Sequence, residues 1–259
     1  MKTSVWIKVA SLIAAMAITS HAWAFSTPAT ESAAMASKLA HIQLKAAQGE
    51  PEAEFLLGLM YLSGRFVEQN QQLGAQWVSR AAEQGHEKAA QTIADLAFDG
   101  KIITRDLALA ARWYLQLAAQ ENKWAQFRLG FIYAAGGEGV ARNCGKAVDH
   151  FLAVGDEISL GNVVWILSTC PESKYRNGDR ALEIGKGLVE ANSADPTNLD
   201  NLAAAYAEIG DYTAAIDTQQ RAIEALKQTA EQNRSSEFEL RLQNYQQQQP
   251  YREVVPLGQ

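Results

Sequence analysis

The chain has 259 residues, 47% of them hydrophobic and 20% charged, with a formal net charge of −6. Ample apolar content with charges of both signs belongs to a folded protein rather than a disordered one. The acidic excess disfavours nucleic acid and anionic membrane surfaces as partners, because both are bound through clustered lysine and arginine.

From the N-terminus, Lys2 and Lys8 form a basic lead, Val9–Ile18 a short apolar run, and Ala22-Trp23-Ala24 a small-x-small cleavage site. This is the pattern of a secretory signal peptide over residues 1–24, with Phe25 starting the mature chain. The run is shorter than the roughly 18 apolar residues that span a bilayer. No cysteine stands directly after the cleavage site and no twin arginine precedes the run, so neither a lipid anchor nor that export signal is expected. The pattern predicts a periplasmic or secreted protein, without membrane insertion after cleavage. Cleavage moves the charge from −6 to −8, since two lysines and no acidic residue leave.

Residues 25–49 read as a leading cap, with Glu31–Gln48 helical. A 36-residue period follows, in which Ala53, Ala89 and Ala125 align, as do Gly64, Gly100 and Gly136, and Trp77 aligns with Trp113. Gly58, Ala94 and Gly130 share one position, and Tyr61, Ala97 and Tyr133 another. A period of this length marks helix hairpins that stack to bury a core no single unit could bury. The expected class is therefore an all-α superhelical solenoid. Its hairpins fall at about 51–86, 87–121 and 122–157, within a block spanning 50–157.

Pro51 suits a first helical position, where its missing N–H needs no partner. Asn70, Asp106 and Asn143 are placed to cap the second helix of each unit. Phe55, Leu56, Leu59 and Met60 are expected to fill the space between hairpins. Residues 158–245 change register: Ile158–Thr169 and Asp179–Glu190 read as helices, and Asp195-Pro196 opens another. Glu231–Tyr245 should cap the stack, and residues 246–259, broken by Pro250 and Pro256, read as a tail.

The residues Leu57-Gly58, Met60-Tyr61, Gly64, Val67, Asn70 and Trp77, followed by Ala81-Ala82-Glu83-Gln84-Gly85, closely resemble the Sel1-like repeat. That family of α-helical hairpins is related to tetratricopeptide repeats. In the C-terminal third, Leu199, Leu202, Ala203, Tyr206, Gly210, Tyr212, Ala215 and Ala222 follow tetratricopeptide spacing, giving one unit at about 196–229. The resemblance implies an adaptor acting through protein or peptide partners. Exported members of such families are often linked to envelope or polysaccharide machinery.

Chemistry-bearing constellations are scarce. His41, His86 and His150 form neither HExxH nor a pair at ligand spacing, so no metal site is expected. GxSxG is absent. Gly136-Gly137-Glu138-Gly139 follows a helix rather than a strand, which makes it a hairpin turn and not a nucleotide loop. No cofactor is implied, and the chain reads as a non-enzyme. Tyr61, Trp77, Trp113, Tyr114, Trp124, Tyr133 and Trp165 recur at helical positions, as core packing does.

Cys144 starts the second helix of the third hairpin, and Cys170 ends the next helix, which returns antiparallel to the same end of the stack. In an oxidising compartment this makes Cys144 and Cys170 a disulfide candidate, one that would stabilise the fold by about 3–4 kcal/mol in the chain-entropy model. The other reading leaves Cys170 in a Cys-Pro turn and Cys144 at a variable position.

The leading functional expectation is a non-catalytic interaction scaffold or adaptor of the periplasm or cell envelope. Its alternative is a secreted Sel1-like hydrolase acting on β-lactams or peptidoglycan-related substrates. The cysteine-rich secreted group behind that alternative carries about one disulfide per repeat, and Cys144 and Cys170 are not at a 36-residue spacing.

Overall fold

The computed structural model describes residues 31–256. The signal-peptide reading of residues 1–24 lies outside the described residues. Among them the chain is all-α. Its first six helices are α1 (Glu31–Ala47), α2 (Pro51–Ser63), α3 (Gln71–Glu83), α4 (Glu87–Asp99), α5 (Leu107–Ala118) and α6 (Lys123–Ala135). Then come α7 (Cys144–Val154), α8 (Glu157–Thr169), α9 (Gly178–Ala191), α10 (Pro196–Glu208), α11 (Tyr212–Leu226) and α12 (Ser235–Gln246). The helices from α2 onward belong to one compact unit that begins at His41.

Local chemistry sets the helix ends. The side chains of Asn70, Asp106 and Asn143 accept from the backbone N–H three residues on, at 2.9, 2.8 and 2.9 Å. Each bond satisfies a donor that the first helical turn leaves without a partner. Gly64 and Gly100 stop α2 and α4 at φ of 71° and 68°, a left-handed conformation that a Cβ would strain.

From α2 to α12 every helix packs on the next, and α8 also packs on α10. Hairpin α2–α3 closes through two glycines. A Cβ on Gly74 would stand 2.8 Å from Gly58 O and from Leu62 N, so only hydrogen fits there. One apolar core runs through the stack from Phe55 to Ala205, with Tyr114, Phe151, Ile93 and Leu129 fully buried within it.

Two expectations about α2 and α6 need correction. Leu56 and Leu59 are 36% and 37% exposed, and Leu57 is the buried leucine, at 3%. The inner stripe of α2 runs through Ala53, Leu57 and Gly58, which puts Leu56 and Leu59 on the far side of the helix. Trp124 is likewise not core: it is 41% exposed, and its indole N–H donates to Asp95 at 2.9 Å.

The segment after α12 is not loose. Residues 251–255 turn back onto α8, where Val255 packs against the main core and the Glu253 amide donates to Thr169 O at 3.0 Å.

Candidate functional site

Helices α8, α10 and α12 and the segment 251–255 surround a cavity of about 630 Å³. Asp195 caps α10 and Pro196 occupies its first turn, which sets the next turn, with Asn198, Asp200 and Asn201, against this space. Asn198 donates to Glu157 Oε1 at 2.9 Å and Asn201 to Gly161 O at 3.1 Å. Gly161 admits Asn201 because it has no side chain: a Cβ there would lie 3.2 Å from the amide nitrogen.

Arg241, from α12, forms the base of the cavity. Its Nε donates to Asp200 Oδ1 at 2.8 Å, and Gln219 Nε2 donates to the same oxygen at 2.7 Å. The guanidinium lies 4.9 Å from the Phe238 ring, 5.2 Å from Trp165 and 5.7 Å from Tyr251, so three aromatic faces stabilise its charge. Burial pushes the Asp200 carboxyl above its ordinary range, while Arg241 and Gln219 bond to the charged form and oppose the shift,. Six carboxylates and two arginines line the cavity, which is therefore net acidic.

The C-terminal segment forms one wall. Trp165 Nε1 donates to Glu253 Oε2 at 3.0 Å, and the Trp165 and Tyr251 rings meet at 5.9 Å. Arg252 donates to Ser168 O at 3.0 Å and pairs with Glu208, which also holds Arg176 at 2.8 Å. Burial raises both Glu253 and Tyr251 above their ordinary values. Sequence reading placed Trp165 in the core and residues 246–259 in a tail, and so missed this site. The signal available was composition: Tyr251, Arg252, Glu253, Val254 and Val255 are richer in anchoring side chains than a solvated tail requires.

At the other end of α8, Cys144 and Cys170 are joined by a disulfide, with S–S 2.18 Å and Cα–Cα 6.5 Å. Both are buried. Glu172 Oε2 stands 3.2 Å from Cys170 Sγ and 3.8 Å from Cys144 Sγ. Glu172 Oε1 accepts from Arg142 Nε at 3.2 Å and from its Nη2; this pairing holds the Glu172 carboxyl below its usual range.

Among the described residues the histidines are His41, His86 and His150, and they form no cluster. His41 is exposed. His86 caps α4, accepting from Ala89 N at 3.1 Å, and its Nε2 lies 2.9 Å from Glu52. His150 stacks on Tyr133 with ring centroids 5.4 Å apart and contacts Gln126 Oε1 through Nδ1 at 2.6 Å. Among the described residues no helix is long and apolar enough to cross a membrane.

Comparison with known proteins bears on the α2–α7 hairpins. The Sel1 repeat family matches residues 51–86, 93–122 and 125–153. The chain carries three Sel1 repeats over residues 51–153. Its structure is similar to the Sel1 repeat protein from Oxalobacter formigenes, with a TM-score of 0.57 and 20% identity over 76% of this chain and 58% of that one. It is also similar to c5321, a protective antigen of uropathogenic Escherichia coli strains that displays an SLR fold, with a TM-score of 0.54 and 24% identity. That alignment covers 83% of this chain and 45% of c5321, so the chain spans less than two thirds of either structure. No curated protein matches the sequence. Sel1 folds are typical of protein–protein interaction scaffolds, and the cavity described above lies beyond the last matched repeat, against α8, α10 and α12.

Proposed function

We propose that this Sel1-like protein is a non-catalytic scaffold, exported to the bacterial periplasm or cell envelope, that holds an extended basic segment of a partner protein against α8 and α10. The observation that carries this reading is the chain's own segment 251–255. It lies on α8 through one backbone bond to Thr169 O, one arginine bond to Ser168 O, one indole bond and one ring contact. Such bonds to backbone and aromatic groups are the general currency of peptide recognition. The net acidic lining of the remaining cavity favours a partner bearing lysine or arginine. A pattern of secretory signal residues in 1–24 supports export,.

The test is a pull-down from periplasmic extract with the mature chain, run beside an Ile158→Arg variant, whose exposed side chain lines the cavity and makes it more crowded and less acidic. A stoichiometric partner held by the wild type and lost with the variant supports the scaffold. Equal recovery from both, or background alone, sinks it. Turnover of a chromogenic β-lactam above the buffer rate would favour the hydrolase instead.

A further inference from the structure

The turn that joins α8 to α9 carries a ligand set independent of the peptide cavity. Cys144 Sγ, Cys170 Sγ and one oxygen of Glu172 all lie within 4.8 Å of one another. We propose that, in the reduced chain, Cys144, Cys170 and Glu172 bind one divalent ion of the zinc class, so that this site alternates between a disulfide and a metal thiolate.

The geometry argument is quantitative. Zinc takes thiolate sulfur at about 2.3 Å and carboxylate oxygen at about 2.0–2.2 Å in a tetrahedral arrangement. Those lengths put sulfur and oxygen about 3.6 Å apart, and two sulfurs about 3.8 Å apart. Glu172 Oε2 is already 3.2 and 3.8 Å from the two sulfurs, so both sulfur–oxygen edges of the tetrahedron exist. The edge still to open is sulfur–sulfur, which the disulfide now closes.

Charge points the same way. Two thiolates and the Glu172 carboxylate carry −3, and Arg142, bound to the other Glu172 oxygen, returns +1. A divalent cation brings the cluster to zero. Without it, the two buried sulfurs beside a carboxylate stay protonated, because uncompensated charge is costly away from water; the cation is what favours the thiolate form. Arg142 also fixes the Glu172 side chain from outside, as outer-shell partners do at metal sites. Three protein ligands leave the fourth position of the tetrahedron open to solvent or to a further donor.

Opening the site requires a reductant, a dithiol or a phosphine. With a phosphine, the S–S bond breaks, both electrons enter the sulfurs, and each sulfur takes a proton. The phosphorus leaves as the oxide, with its oxygen drawn from water. Metal binding then expels the two thiol protons.

The experiment uses the purified chain with Co²⁺ as the probe. Half is left oxidised; half is reduced with a phosphine, freed of it and kept anaerobic. The expected result is one Co²⁺ per reduced chain, with a thiolate-to-cobalt charge-transfer band, and none in the oxidised chain. Glu172→Gln should weaken Co²⁺ binding by about tenfold or more, since even an outer-shell loss costs that much. Cys170→Ser should remove the band. Absence of the band in the reduced chain overturns the proposal, and so does binding that Glu172→Gln leaves unchanged. The second outcome covers a reduced chain that has unfolded, because loose thiols would take cobalt without help from Glu172. Failure here leaves the peptide cavity of α8 and α10 untouched, and the reverse also holds.

Discussion

Arg241 Nε lies 2.8 Å from Asp200 Oδ1, and the two side chains are only 5% and 4% exposed. The pair ties α12 to α10 across 41 residues of sequence. Its guanidinium also lies under the rings of Trp165 and Tyr251, so one ion pair supports both the end of the stack and the wall of the cavity. Removing one member leaves a buried charge without compensation. Arg241→Ala should therefore cost about 3–5 kcal/mol, read from urea unfolding of the whole chain. The double variant Arg241→Met, Asp200→Leu should recover most of that loss, because an apolar pair of similar volume needs no desolvation.

Trp165→Phe tests the anchoring of the C-terminal segment separately from stability. Phenylalanine keeps a ring beside Tyr251 and removes the N–H that bonds Glu253 Oε2. A hydrogen bond to a charged group contributes about 1.5–3 kcal/mol. Amide exchange at Glu253, whose N–H is held by Thr169 O, should then speed up by about tenfold or more. Exchange within α4 and α5 should stay at its wild-type rate.

The glycine contact between α2 and α3 makes a paired prediction. Gly74→Ala drives a methyl against Gly58 O and Leu62 N, both backbone atoms that cannot rotate away. Overpacking of this kind costs about 1–3 kcal/mol. Gly187→Ala is the control, because a Cβ there meets nothing within 4 Å and sits inside helix α9. It should stabilise by about 0.5–1 kcal/mol. Thermal melts of the two variants should move in opposite directions.

His150 gives the fold a pH dependence with a definite sign. Burial lowers its pKa from the ordinary 6.5, so the folded chain holds fewer protons here than the unfolded chain does. Stability from this group is complete above about 6.5 and falls as pH drops through that value toward the lowered one. Wild type should lose urea resistance between about pH 7 and pH 5. His150→Gln should lose less over the same range, and the difference between the two curves isolates the imidazole.

Much of the repeat region is legible without coordinates, and the reason is that its determinants are local. Asn70, Asp106 and Asn143 cap helices by bonding an amide three residues away. Gly64 and Gly100 end helices through their own φ. A 36-residue spacing then shows that the same hairpin recurs, and recurring hairpins can bury their apolar faces only by stacking.

Residues whose role depends on a distant partner were not legible. Nothing near Leu56 and Leu59 distinguishes them from Leu57; the side that α3 approaches makes that choice, through Gly58 and Gly74. Trp124 looks like core until Asp95, 29 residues earlier, is seen to bond its indole. Arg241 reads as a solvated residue of a polar helix until Asp200 is placed beneath it.

The chain order by itself determines the helical hairpins, because capping and periodicity act over a few bonds along the backbone. Tertiary structure alone decided the cavity. Glu253 and Trp165 are separated by 88 residues, and the Glu172 carboxylate meets a Cys144 that lies 28 residues away. Contacts at such separations follow from which helices pack on one another, and burial then fixes the strength of every charge and hydrogen bond they enclose.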